Sequence, residues 1–380
     1  MPENTYDTIV VGGGIAGLTS AAYLAREGRR VLLVEKNGEC GGLVNSFTRD
    51  GFRFDAGARA LLNAGVILPM LRDLDIQMEM VKSKVSLGVE DEIVHIESPA
   101  SLVEYREFLV RLYPGSEEEI NGVLRSIQKI MRQMDVLYGI ENPIFKDLRR
   151  DRGFIFRRLL PWFPGFVLAV MNIDRMSMPV EDYLEKRVAN ASLRDIISQH
   201  FFKNTPAFFA LSYFSLYLDY FYPRGGTGRL AEVMGKKVTE LGATIKTETR
   251  IVEIDPDRRQ LRDDKDITYR YDHLVWAADL KTLYNILHTE GLPPDVRTRI
   301  ENTKKKMMRS RGGDSAYTLF LEVDEPVESF QKIAHGHFFY TPSRQGLGKT
   351  RTDELNRLLA DFDKIGKEDI LAWLDRSTRL

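Results

Sequence analysis

The chain has 380 residues, 43% of them hydrophobic and 29% charged, with 54 Lys+Arg against 55 Asp+Glu and a formal net charge of −1. That length predicts two lobes, the apolar content excludes a disordered chain, and the balanced charge excludes a strong pull toward nucleic acid. Cys40 is the only cysteine, so no intramolecular disulfide can form, which fits a reducing cytoplasm.

Met1 to Asp7 is polar and acidic, and no signal peptide is expected there. Tyr6 to Val11 reads as a strand that runs into Gly12-Gly13-Gly14-Ile15-Ala16-Gly17. A helix from Leu18 to Arg26, then Gly28, then a second strand ending at Glu35 complete the unit. This is a dinucleotide-binding fingerprint in full context. Gly12 permits the tight turn, Gly14 lets the backbone approach a pyrophosphate, and Gly17 lets the helix pack on the sheet. The helix N-terminus offers unpaired N–H groups to phosphates. Glu35 stands where an acid bonds a ribose hydroxyl and disfavours a 2′-phosphate.

A second glycine doublet, Gly41-Gly42, follows, then a short strand ending in Phe54-Asp55-Ala56-Gly57. Glycines there suggest backbone passing close to a large planar ligand. With these residues the chain resembles the phytoene desaturase, carotenoid isomerase and retinol saturase group of the amine oxidase superfamily. The resemblance implies an α/β fold: a discontinuous Rossmann-type FAD-binding domain, with an inserted, largely helical substrate lobe. It implies FAD contacts at Gly12, Gly14, Ile15, Ala16 and Gly17, at Glu35 and Lys36, and at Gly41, Gly42 and Leu43. Gly57 and Ala58 belong to the same set. Amine oxidases usually carry arginine directly after the doublet, where Leu43 stands here.

The region from about Leu68 to Phe221 reads as helical. Helices are expected at Ser101–Tyr113, Glu117–Tyr138, Val180–Ala189 and Ser192–Phe201. Phe154 to Met171 is apolar, with Arg157, Arg158, Pro161 and Pro164 interrupting it. It reads as a buried helix–loop–helix, since such runs are most often core. Its mix of basic and aromatic residues also suits peripheral membrane contact. The aromatic run Phe208 to Tyr222 leads into Gly225-Gly226 and is expected to wall an apolar substrate site.

Tyr222-Pro223-Arg224-Gly225-Gly226 is similar to the family's second motif, ahead of a helix from Leu230 to Leu241. Ala243–Lys246 and Arg250–Ile254 read as strands. The resemblance implies that Val252 places a backbone group against the adenine, and that Ala278 sits near the diphosphate. Gln260–Tyr269 reads as a polar hairpin, and Ala316–Val323 as a strand. His335 and His337 have no acid pair or cysteine to complete a metal site, so no metal is assigned. Lys304-Lys305-Lys306 reads as a solvated face. No catalytic side chain transfers from the family.

The expected partition is 1–67 with 222–310 for FAD, and 68–221 with 311–380 for substrate. The expected activity is hydride transfer between FAD and C–C bonds of an isoprenoid, carotenoid or retinoid-like substrate. A flavin amine oxidase and a non-catalytic flavin-fold protein are the alternatives. The resemblance further implies a glycine-rich third cofactor block near the C-terminus. Gln345 to Thr350 does not fit one, so the chain is expected to be a truncated family member with weak flavin occupancy.

Overall fold

The computed structural model describes residues 4–62, 65–198, 201–202, 204–310, 318–345, 357–358, 360 and 364–378. The chain divides into two compact units. The first comprises Met1–Leu61, Val66–Val81 and Phe221–Phe320. The second comprises Leu62–Gly65, Lys82–Tyr220 and Leu321–Leu380.

The first unit is built on a six-stranded sheet. Its order is Thr244–Lys246, Val31–Val34, Thr5–Val11, Thr268–Trp276, Gln260–Asp263, Ile251–Asp255. The first four strands are parallel, and the last three form an antiparallel meander. Val31 to Val34 is buried along its whole length, as a central parallel strand requires. The helix Ile15–Arg26 turns Leu18, Ala21, Ala22 and Ala25 inward, and the small side chains let it lie close to the strands. The expected boundary at residue 67 moves. Val66–Val81 stays with this unit, because Tyr23 Oη donates to Asp73 at 2.9 Å and Arg26 pairs with Asp73 at 2.8 Å.

The second unit holds a three-stranded sheet with Val85–Val89 at its centre. Glu92–Ile96 runs antiparallel on one side and His337–Thr341 parallel on the other. Around it lie helices Ser101–Leu112, Glu117–Leu137, Leu160–Asp174, Val180–Glu185, Ala191–Ser198 and Ala207–Tyr217. Glu117–Leu137 buries Ile120, Val123, Leu124, Ile127, Ile130 and Met134 at three- and four-residue spacing, as its sequence predicts.

Two expectations fail. Phe154–Met171 is not a helix–loop–helix. Helix is continuous from Arg152 to Asp174, with a π-helical turn at Ile155–Leu159. Pro161 stands just after the π-helical turn and Pro164 three residues further on, each removing one N–H from the helical ladder. Nor is this helix core: Phe156, Leu160, Phe163 and Leu168 are all more than half exposed, at 66%, 52%, 53% and 62%. The strand expected at Ala316–Val323 is also absent over its described part. Residues 318–323 take no regular structure, and Leu319, Leu321 and Val323 are exposed. Near the end of the chain Lys367–Thr378 is helical.

Candidate functional site

The glycine turn between the first strand and the first helix has a floor that tolerates no side chains. A Cβ on Gly17 would lie 1.9 Å from the Gly12 carbonyl oxygen. Gly12 has φ +107°, and a Cβ there would lie 2.6 Å from the Ala277 oxygen and 3.1 Å from the Ala278 side chain. Ala277 N donates to Val11 O at 2.8 Å, so the meander's last strand brings Ala278 to the turn. Gly14 differs: a Cβ there would meet nothing within 4 Å. Its φ of −68° is open to any residue, and it caps a helix whose first turn receives no side-chain cap. The first N–H groups of that helix have neither an intrahelical partner nor a side-chain cap.

Glu35 is buried beneath this turn. Oε2 accepts from Gly13 N at 2.7 Å, and Oε1 accepts from Asn37 N at 2.9 Å. The carboxylate thus shapes the turn, while each oxygen keeps a lone pair for a further donor. Lys36 beside it is exposed. Cys40 packs under Gly13, where burial and then the charge of Glu35 push its thiol up to about 11. A thiol so placed stays protonated and unreactive at neutral pH.

The second doublet serves protein packing as well as any ligand. Gly41 N donates to Gly13 O at 2.8 Å, and a Cβ on Gly42 would lie 3.3 Å from Gly14 Cα. Two glycine segments here cross at backbone distance, which explains the doublet without a planar ligand. Leu43 is 83% exposed. Its carbonyl accepts from Ala58 N at 3.0 Å, and a Cβ on Gly57 would lie 2.3 Å from it. Ile15 and Ala58 are half-buried, and Ala16 and Ala278 exposed, so the site has a buried floor and an open rim.

One junction was not visible in the sequence. Asp55 joins the two motif blocks: it accepts from Ser46 Oγ at 2.7 Å, Tyr222 Oη at 2.8 Å and Thr227 N at 2.8 Å. Burial alone would raise the Asp55 carboxyl, but the hydrogen bonds from Ser46, Tyr222 and Thr227 hold it below its ordinary value. Burial, then the bond to Asp55, push the Tyr222 phenol up to about 12. Ser46 Oγ also accepts from Gly228 N at 2.9 Å, and Thr227 Oγ1 donates to Ala58 O at 2.9 Å.

Val252 lies on the meander's outer strand. Ile251 pairs with Asp263 and Glu253 with Arg262, so Val252 is the extra residue of a β-bulge. The bulge interrupts the regular ladder at this residue.

The family model described as flavin containing amine oxidoreductase matches residues 15–352. The chain belongs to this family. Among curated proteins it is 23% identical to the all-trans-retinol 13,14-reductase of Danio rerio, over 97% of this chain and 60% of that protein. It is 26% identical to the 4,4'-diapolycopene oxygenase of a Methylomonas species, over 88% of this chain and 65% of the relative. The chain thus spans less than two thirds of the length of either. A solved oxidoreductase from Methanosarcina mazei shares the fold at TM-score 0.52 and 15% identity, over 78% of this chain and 64% of that one. The first unit is a Rossmann-type FAD-binding fold, and the family's cofactor is a flavin.

The aromatic run has a separate place. Tyr213, Phe214 and Tyr217 lie on a helix inside the second unit, and line a small apolar cavity with Leu87, Tyr105 and Ile127. At about 40 Å³ the cavity has room for little more than one water. Phe208 is not part of that lining. His335 Nε2 lies 3.0 Å from Glu97 Oε1 without hydrogen-bond geometry, and Ser86 Oγ contacts His95 Nδ1 at 2.8 Å between neighbouring strands. Among the described residues no group of three or more His, Cys, Asp or Glu is placed to hold a metal ion.

Proposed function

We propose that the chain binds FAD at the glycine turn and acts as an oxidoreductase on C–C bonds of an apolar isoprenoid, carotenoid or retinoid-like substrate. Gly14 carries the cofactor half of this reading. It is a glycine that neither steric contact nor its φ requires, in front of an uncapped helix N-terminus. A ligand that needs the space explains it, and a diphosphate suits the uncapped N–H groups of that helix. In this reading the backbone of Gly12 to Gly17 cradles the diphosphate with Ala278 at its side. Glu35 takes a ribose hydroxyl, with Lys36 at the rim. The bulged backbone of Val252 takes the adenine edge. Gly41, Gly42, Leu43, Gly57 and Ala58 close the remaining wall.

When bound, FAD accepts or donates the hydride equivalent at its flavin ring. The protein's part is to place the substrate and exclude water, so no titrating side chain is assigned as catalytic. The substrate class rests on the relatives, one named for retinol and one for diapolycopene. Leu43 in place of arginine gives an amine substrate no support, and Tyr213, Phe214 and Tyr217, packed around a cavity of about 40 Å³, are not assigned to the substrate site. A peripheral contact with a membrane belongs to the same reading, because such substrates dissolve there.

The test is Gly14→Ala. A Cβ at that position meets nothing in the fold, so the flavin-free variant should fold as the parent does, with a stability change of about 1 kcal/mol or less. Bound flavin per protein, read by absorbance, should fall sharply. Equal flavin content in the two proteins would refute the site. Anaerobic bleaching of the flavin by a primary amine, but by no retinoid or carotenoid, would refute the substrate class.

A further inference from the structure

Among the described residues one helix is long and apolar enough to cross a membrane by length and composition: Arg152–Asp174, 23 residues with a mean hydropathy of 1.4 over its most apolar window. Only 11% of that window is buried. The helix has two apolar faces. One is docked: Trp162 Nε1 donates to Val136 O at 2.5 Å, a Cβ on Gly165 would sit 3.6 Å from Val136, and Ala169 is buried. These residues pack on the helix Glu117–Leu137. The other face is open. Phe156, Leu160, Phe163, Val167 and Val170 recur at intervals of four, three, four and three residues, and all are exposed, at 66%, 52%, 53%, 39% and 43%. Leu168 and Met171 widen the stripe.

Charge selects the occupant. From Arg149 to Arg175 the sequence holds six arginines against two acids, Asp151 and Asp174, in a chain whose net charge is −1. Arg149, Arg152, Arg157, Arg158 and Arg175 are exposed and make no ion pair among the described residues. Asp151 is occupied as an N-cap for Phe154. A second copy of this chain would bring a like-charged patch against the stripe, whereas an anionic surface would be attracted to it. The docked face rules out a spanning arrangement without undocking, because Trp162, Gly165 and Ala169 already have protein neighbours.

We infer that the helix Arg152–Asp174 lies in the plane of an anionic lipid bilayer. Phe156, Leu160, Phe163, Val167 and Val170 enter the acyl boundary, and Arg157 and Arg158 sit among the headgroups. This rests on the membrane clause of the proposal above and not on its cofactor site. It names where an apolar substrate would be met.

The test is sedimentation of the full chain with vesicles of phosphatidylcholine alone, and with phosphatidylglycerol added. Flavin content and circular dichroism are recorded for every protein. The parent should bind the anionic vesicles and release from them as salt rises. Arg157→Gln with Arg158→Gln should weaken that binding roughly twenty-five-fold, at about fivefold per arginine near the surface. Phe163→Ser with Val167→Ser should reduce binding to both vesicle types, with the helix signal and flavin content unchanged. A parent that ignores anionic vesicles overturns the inference, as does a serine double variant that binds as well as the parent. A concentration-dependent dimer that the serine variant abolishes, without vesicle binding, assigns the face to a second copy and also overturns it. Loss of flavin with vesicle binding intact would count against the cofactor site alone.

Discussion

Glu35→Gln separates what the fold needs from what the cofactor needs. The carboxylate accepts two backbone N–H groups, from Gly13 at 2.7 Å and from Asn37 at 2.9 Å. Glutamine has nearly the same volume but only one acceptor oxygen. Its amide nitrogen must then face one of two N–H donors. Gly13 is buried, so the oxygen should turn to it, and exposed Asn37 can take a water instead. One charge-assisted bond becomes a neutral one, a loss of about 1 kcal/mol, and the second is exchanged for water at a similar cost. The flavin-free chain should therefore lose about 2 kcal/mol. That lowers the melting midpoint of the nucleotide-binding unit by about 4–8 °C for a unit of this size. FAD affinity is a separate readout. If the ribose also bonds this carboxylate, removing its charge should raise Kd about tenfold beyond the stability effect. The assays are differential scanning fluorimetry of flavin-free protein and flavin fluorescence quenching at a temperature where both proteins are folded. An unchanged midpoint would refute the structural role of Glu35, and a lowered midpoint with unchanged Kd would refute its contact with the ribose.

Two further predictions follow from groups around the site. Cys40, with its thiol pushed up to about 11, should react with a disulfide reagent at pH 7 about a hundredfold more slowly than in urea, and faster as pH climbs toward that value. Rapid labelling of the folded chain would show that the thiol is neither buried nor held neutral. Asp55→Ala should cost about 2–4 kcal/mol in urea unfolding, because it strips the acceptor from Ser46, Tyr222 and Thr227. The sign with pH is fixed by the direction of the shift. The folded carboxyl titrates below its unfolded value near 3.9, so its stabilisation is complete above that pH and disappears as pH falls through the folded value. The gap between parent and variant should therefore narrow below about pH 4, and a gap that widens there would refute the assignment.

How much of this was legible depends on the range of each cause. The glycine turn was legible because its demands are local. Gly17 must clear the oxygen of Gly12, five residues away, and the pattern records that clearance directly. Glu35 was legible by its place at the end of the second strand, but not its bonds to Gly13 and Asn37. The junction at Asp55 was not legible, because its partners stand 167 and 172 residues downstream. Each motif was visible by itself, yet nothing local in either says that they meet. The bulge at Val252 depends on the register of a neighbouring strand, and no periodicity within Ile251–Asp255 carries it.

The misreading of Phe154–Met171 had a cause that the sequence did contain. Apolar aromatic runs are most often core, and the two prolines suggested a break. A count by face leads elsewhere. Trp162, Gly165 and Ala169 form one stripe, while Phe156, Leu160, Phe163, Val167 and Val170 form another on the opposite side. A single neighbouring helix can cover only one of them. Burying both would need a second layer of protein there, and the arginines at 149, 152, 157 and 158, which make no ion pair among the described residues, would have to be buried with it at a steep desolvation cost. An apolar helix with five arginines at and before one end, four of them in no ion pair among the described residues, is therefore poorly explained as core, and the exposed stripe agrees with that imbalance.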